Sequence, residues 1–451
     1  MNLFARMLSA PEIDAVFSDQ ALMAAMLRIE VELAAAQADT GVIPVGAAQA
    51  IAKAAETFAA SAQALVTDGA HAGTPVIPLV KALRAHVAKH DSPASDYVHF
   101  GTTSQDVMDT AMVLLTRDAI ERLSETLGTA IIQARRLALA HRNTPMLART
   151  LMQAAGVTTF GYKAAQWCLA LAQGQQRLLA TARSALAVSL GGAVGNLAAY
   201  KDQGAQVRAE LAKRLELHDP GATWHARRHN WIALATDTGL LCGSMAKIAQ
   251  DVALMAQNEV AEVSEPTLEG RGSSSALPHK RNPVLSLRVI AATQPIPGFI
   301  ANLLAAMPHE HERALGNWQA ELAQWPLVFT HAFSAAQALA ELLTGLEVNA
   351  RRCRENIDAL QGVIFAEGLS EVLSPALGKA QAQSLMANLC QRAISERRPL
   401  DSLLRELIET DHRCKSIDPS EVVKRFDIEF AATASARLVE GILDQIPTAR
   451  P

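Results

Sequence analysis

The stretch QDVMDTAMVLLTRDAIERLSETLGTAIIQARRLALAH, residues 105–141, contains no proline and one glycine, Gly128. Its alanines, leucines and long charged residues favour helix, and nothing in it alternates with the period of a strand. At 1.5 Å rise per residue an unbroken helix here is a rod of roughly 50 Å. Residues 157–187, 229–263, 284–306 and 318–349 read as further rods. Shorter helices are expected before them at 21–38, 44–66 and 76–89. Others follow at 353–360, 366–373, 379–394 and 399–409. The expected fold is therefore all-α, in three helical domains: 1–108, a central bundle of long helices at 109–350, and 351–451.

Several rods are apolar on more than one face, as at Leu240-Leu241-Cys242 and Ala253-Leu254-Met255-Ala256. A helix apolar all round needs neighbours on all sides. We expect these rods to pack against copies from other subunits, a single large bundle being the alternative.

Composition narrows the function. The 451 residues carry 41 Lys+Arg against 45 Asp+Glu, a net charge of −4, and only 4% are aromatic. A general nucleic-acid binder is usually basic and supplies aromatic platforms, so none is expected. No run reaches the ~18 uninterrupted apolar residues of a membrane span, and Pro11, Glu12 and Asp14 break any signal-peptide core. Five scattered cysteines without a CxxC suit reduced thiols in a cytoplasmic protein.

Three polar islands interrupt this background. The first, Tyr97-Val98-His99-Phe100-Gly101-Thr102-Thr103-Ser104-Gln105-Asp106, directly precedes the longest rod. Thr103 or Ser104 suits an N-cap and Asp106 the positive end of the helix dipole. The three hydroxyls, the glycine and the histidine exceed what one cap needs, and suit a carboxylate cradle at a helix start. The second, Ala148 to Gln153, reads by itself as a solvated loop. The third runs from Glu269 through Ser273-Ser274-Ser275 to His279-Lys280-Arg281-Asn282-Pro283. Asn282 and Pro283 read as N-cap and first helical residue of the next rod. A serine-rich segment beside fixed cations suits a lid over an anion; a flexible linker explains the Gly and Ser but not the dense cationic end.

Other signals are weaker. His225 and His229 have an i, i+4 spacing, but no ligand-type carboxylate adjoins them and no metal is expected. No phosphate-binding glycine loop is present, so no nucleotide cofactor is expected. In Pro308-His309-Glu310-His311-Glu312-Arg313, a charged turn, Arg313 is within plausible reach of an anionic substrate.

The third island, Ser274-Ser275-Ala276-Leu277-Pro278-His279-Lys280-Arg281-Asn282-Pro283, resembles the signature loop of the fumarase/aspartase superfamily, G-S-S-x-M-P-x-K-x-N-P. His99-x-Gly101-x-Thr103-Ser104-x-Asp106 resembles its first characteristic region and Thr150-x-x-Gln153 its second, in the family's order. Two departures lie in the loop: Ser273 replaces glycine and Leu277 replaces methionine. A third is Leu151, where many members carry a histidine that assists proton transfer. The branch lacking that histidine is a cycloisomerase branch. Phe17-Ser18-Asp19, Ile77 to Leu83 and His309 to Gly316 resemble it too.

The resemblance implies a homotetramer around a 20-helix core, with sites shared between subunits and a small polycarboxylate as substrate. It implies a cofactor-independent lactonisation, in which one carboxylate of a muconate triacid adds across the conjugated double bond. Counting back from Lys280, Ser274 is the implied base. Ser275, Lys280, Asn282, Thr103, Ser104, Thr150, Gln153 and Arg313 are the implied substrate contacts. His99 is a second proton carrier or substrate donor, a buried structural histidine being the alternative. Two other activities remain in view: a fumarate-releasing lyase of the same superfamily, and a structural member without catalysis.

Overall fold

In the computed structural model the described residues are 3–268, 272, 277, 279–313 and 315–446. The chain is overwhelmingly helical, as expected. The longest helix, Ser104–Ala140, matches the stretch that decided the fold class, and Phe160–Ala185, His229–Met255 and Asn317–Thr344 are the other long rods. The only strands among the described residues form two short antiparallel pairs: β1 (Pro145–Thr150) with β2 (Gln153–Thr159), and β3 (Val263–Ser264) with β4 (Glu347–Val348).

Several expected helices are corrected. The 44–66 helix is two, Val45–Thr57 and Ala62–Ala72. Phe58 turns extended and the Ser61 side chain restarts the helix by accepting from Ala64 N–H. The 284–306 rod breaks into Val284–Thr293 and Ile296–Ala306, because Pro295 has no N–H to continue the ladder. The rod expected from 157 starts only after β2, at Phe160, and the one expected up to 263 ends at Met255, where turns lead on to β3. Among the helices not anticipated are Gly204–Leu215, Pro419–Arg425 and Ile428–Leu443.

The chain divides into two compact units. The first comprises Met1–Leu127, Gly174–Met245 and Arg288–Gln337. Its largely aliphatic core holds an aromatic cluster. Trp231 and Trp325 stack at 3.8 Å, Phe329 adjoins Trp325, and Trp325 Nε1 donates to Thr116 Oγ1 at 2.8 Å. The polar tips of buried aromatics thus stay satisfied. Fully buried Arg228 bridges Asp109 (2.7 Å) and Glu321, and lies 4.4 Å from the Trp224 ring centroid. Burial alone would lower the Arg228 pKa, but the two carboxylates override it and raise it. The ion is paired, as its burial demands.

The second unit comprises Gly128–Gln173, Ala246–Leu287 and Ala338–Pro451. Here Phe160 packs edge-on against Trp167 and His141, and Trp167 Nε1 donates to Asp251 at 2.8 Å. A Cβ on Gly161 would lie 2.5 Å from Ala138 O, so only glycine permits that approach of backbones. Leu369, Leu373, Leu377, Met386, Leu389 and Leu404 form the core of its C-terminal helices.

Three helical stretches are long and apolar enough to cross a membrane by length and composition: His229–Met255, Val284–Ala306 and Asn317–Thr344. Within the chain 56%, 33% and 72% of their apolar windows are buried, so the first and third mainly serve the core. The second is the least covered and leaves Leu287 and Leu304 exposed.

Candidate active site

The first polar island folds as a clamped loop in the first unit. His99 has φ +62° and Gly101 φ +70°. A Cβ on Gly101 would meet the Tyr200 ring at 2.6 Å, so glycine is required there. The carbonyls on either side of His99 are held. Arg84 donates twice to Val98 O (3.2 and 2.8 Å), while Gln37 (2.7 Å) and Tyr200 (3.0 Å) donate to Phe100 O. A non-glycine residue in the left-handed region persists only where its surroundings over-determine it. Such strain gathers at functional sites.

Asp106 is the hub beneath this loop. Its Oδ2 accepts from Thr103 N (3.0 Å), Thr102 Oγ1 (3.1 Å) and Gly192 N (2.9 Å); its Oδ1 accepts from Gly191 N (2.8 Å) and His225 Nε2 (2.6 Å). With Ser104 as first helical residue, Asp106 reaches back to the Thr103 N–H in the manner of a capping box. The Thr103 and Ser104 hydroxyls have no hydrogen-bond partner among the described residues. The Gly191–Gly192 loop continues to Ala193, whose carbonyl accepts from Arg313 Nη2 at 2.7 Å. Asp106 thus ties the Thr102–Thr103 turn to the Gly191–Gly192 loop, whose next residue holds Arg313, while His99 is held separately by Glu30. His225 is bonded to Asp106, and lies outside the His229–Met255 helix. Among the described residues no His/Cys/Asp/Glu group is placed to hold a metal.

The other expected residues lie in the second unit. Thr150 and Gln153 are the closing pair of the β1–β2 hairpin, where a solvated loop was expected. Between them Leu151 (φ +50°) and Met152 (φ +66°) form a two-residue turn of the left-handed kind usually built from Asn-Gly. Leu151 is 97% exposed and Met152 70%. The hairpin stalk is fixed by Arg149, which makes two bonds to fully buried Glu262 (2.9 and 2.7 Å). Two apolar side chains are thereby presented on a strained, anchored tip.

Ser274 and Ser275 lie outside the described residues. The base of their loop is described. Asn282 N (3.0 Å) and Nδ2 (3.2 Å) both donate to Gly272 O, closing a neck. Gly272 has φ +69°, and a Cβ there would lie 2.6 Å from Asn282 O. This corrects the expected cap. Asn282 is engaged at the neck, and the Val284–Thr293 helix is capped by Glu265. That carboxylate accepts from Leu285 N (2.8 Å), Ser286 N (2.8 Å) and Ser286 Oγ (2.6 Å). A negative group at a helix start is favourable. Lys280 is exposed beside the neck. A cavity of about 330 Å³ there is lined by Glu265, His279, Arg281, Asn282 and Asn349 among others.

Sequence reasoning missed Glu30, Glu262 and Glu265, and set aside His225. Each acts on a partner distant in sequence or across a loop. Only Glu265, an acid shortly before the serine loop, carried a local signal.

A protein family described as lyase matches residues 6–295. A 3-carboxy-cis,cis-muconate cycloisomerase of Bradyrhizobium diazoefficiens is 40% identical over 445 residues, covering 98% of each chain. A nitrosuccinate lyase of Streptomyces davaonensis is also 40% identical, over 91% of this chain and 88% of its own. The crystal structure of beta-carboxy-cis,cis-muconate cycloisomerase from Acinetobacter calcoaceticus superposes with a TM-score of 0.90 at 34% identity. That match covers 98% of this chain and 100% of the other.

Proposed function

The chain belongs to the lyase family, and on that premise we propose that it converts 3-carboxy-cis,cis-muconate to 4-carboxymuconolactone, in the protocatechuate branch of aromatic catabolism. The observation that carries this reading over a fumarate-releasing lyase is Leu151. An apolar side chain stands at the hairpin tip where a proton-transferring histidine is otherwise expected. Cycloisomerases matching over nearly the whole chain support it.

In the lactonisation one substrate carboxylate oxygen forms a C–O bond to an alkene carbon. The π electrons move to the carbon α to another carboxylate, and that carbon takes a proton. The intermediate is an aci-carboxylate with two negative charges on one carboxyl group. Stabilising it is electrostatic work for preorganised donors, each typically contributing ~3–4 kcal/mol. Lys280, Asn282, and the free hydroxyls of Thr103 and Ser104 are the proposed donors. Thr150, Gln153, Ser275 and Arg313 orient the remaining carboxylates. Ser274 moves the proton, its alkoxide favoured by nearby cations and exclusion of water, and His99 is the second proton carrier.

The exposed leucines of the rods, Leu240 and Leu254 on His229–Met255 and Leu287 and Leu304 farther on, are proposed to be covered in a homotetramer. The sites are then completed by other copies, and a dissociated monomer is inactive. The five unpaired cysteines fit a cytoplasmic location.

The test is ultraviolet absorbance. With 3-carboxymuconate the diene band is lost, and Ser274→Ala abolishes that loss while leaving the oligomer intact. Full rate in Ser274→Ala contradicts the base assignment; no loss with wild type contradicts the function.

A further inference from the structure

We propose that Glu30 is a positioning residue that fixes His99 in one tautomer and directs its Nε2 toward a polycarboxylate substrate; the proposal rests on the functional reading above. Glu30 sits on the Asp19–Asp39 helix, 2% exposed, with Oε1 2.6 Å from His99 Nδ1. Its Oε2 is buried without a hydrogen-bond partner. A buried carboxylate held by one partner is expensive, so packing alone is a poor reason for it.

A carboxylate only accepts, so the proton between the two side chains is on Nδ1. Nε2 is the ring atom left to give or take a proton. The same logic fixes the tautomer of metal-bound and catalytic histidines through an outer carboxylate. Gln37, two turns along the same helix, holds Phe100 O. One helix face therefore sets both the ring and the strained backbone of His99.

His99 also lines a cavity of about 320 Å³ with Ile77, Val80, Lys81 and Arg84. Arg84 is oriented by its two bonds to Val98 O, and Lys81 makes no ion pair among the described residues. Two cations beside a hydrocarbon wall suit a ligand with carboxylates on a flat apolar middle. In that setting Nε2 faces a substrate whose proton acceptor is a carbon next to a carboxylate.

Glu30→Gln tests this, because the amide oxygen still accepts from Nδ1–H while the charge is gone. Turnover of 3-carboxymuconate is measured for Glu30→Gln, His99→Gln and the double variant. Glu30→Gln lowers kcat about 10–100-fold with KM nearly unchanged, His99→Gln lowers it further, and the double variant equals His99→Gln. Losses that multiply, or a loss confined to KM, overturn the proposal. A second readout needs no substrate: the rate at which diethylpyrocarbonate labels His99, read by peptide mass mapping. Glu30→Gln slows labelling about tenfold; equal rates in both proteins overturn the dyad. Should the wild type leave carboxymuconate untouched, the functional reading fails and the labelling still decides the role of Glu30.

Discussion

Asp106 Oδ1 lies 2.6 Å from His225 Nε2, across 119 residues of sequence, and both side chains are buried. The same carboxylate accepts four further hydrogen bonds that tie the Thr102–Thr103 turn to the Gly191–Gly192 loop. Asp106→Asn turns one acceptor oxygen into a donor and leaves at least two buried donors unpaired. At about 1–3 kcal/mol per unsatisfied group, it should destabilise the protein by about 2–6 kcal/mol and remove activity. Denaturant unfolding of the variant checks this, and a change under about 0.5 kcal/mol contradicts the hub.

The Leu151–Met152 turn holds two non-glycine residues in the left-handed region, at about 1–2 kcal/mol each. Leu151→Asn with Met152→Gly should therefore stabilise the protein by about 1–3 kcal/mol. Activity should fall, because the exposed tip is proposed to complete a site in another copy. Thermal unfolding and turnover on the same sample separate the two effects. A variant both more stable and fully active would mean that the strain serves nothing.

His309 donates from Nδ1 to His225 O at 3.0 Å, and its Nε2 is buried without a partner. Burial first, then the Arg228 charge, lowers its pKa, against smaller opposing effects of Glu321 and Asp109. The unfolded histidine takes its proton near pH 6.5 and the folded one at lower pH. Between those values the unfolded state binds more protons, so stability falls as pH drops through about 6.5. His309→Gln should flatten this acid limb. Unfolding free energies between pH 8 and pH 5 measure it, and an unchanged slope refutes the assignment.

Glu265 stands before the serine loop and caps the helix that follows it. Glu265→Ala leaves the Leu285 and Ser286 N–H groups without their acceptor, a loss of about 1–2 kcal/mol. It also frees the start of the Val284–Thr293 helix, just after the segment that holds Lys280 and Asn282. Turnover should fall more steeply than the modest drop in thermal stability suggests, and the two together check the point. Unaltered turnover would show that the loop base needs no such anchor.

The fold class was legible because helix periodicity is local: residues 105–141 carry their own evidence. Breaks were legible where proline makes them, yet Pro295 inside a strongly apolar run was read through. The hairpin was missed since Leu151-Met152 lacks the Asn-Gly signal, its turn being held by Arg149 and Glu262 from 113 residues away. His99, Thr103 and Ser104 were legible as types in a pattern. Their partners Glu30, His225 and Gly191 were not, because burial and charge pairing are set by tertiary packing, which spacing does not encode.

The central claim is that this chain closes a ring instead of releasing a second acid. Proton NMR of the product formed from 3-carboxy-cis,cis-muconate in deuterated water, without added metal or nucleotide, tests it most directly. The account predicts a lactone with one deuterium on the carbon next to a carboxylate, and no fumarate signal. Unchanged muconate, alongside fumarate release from a succinyl-type or nitrosuccinate substrate, would contradict it.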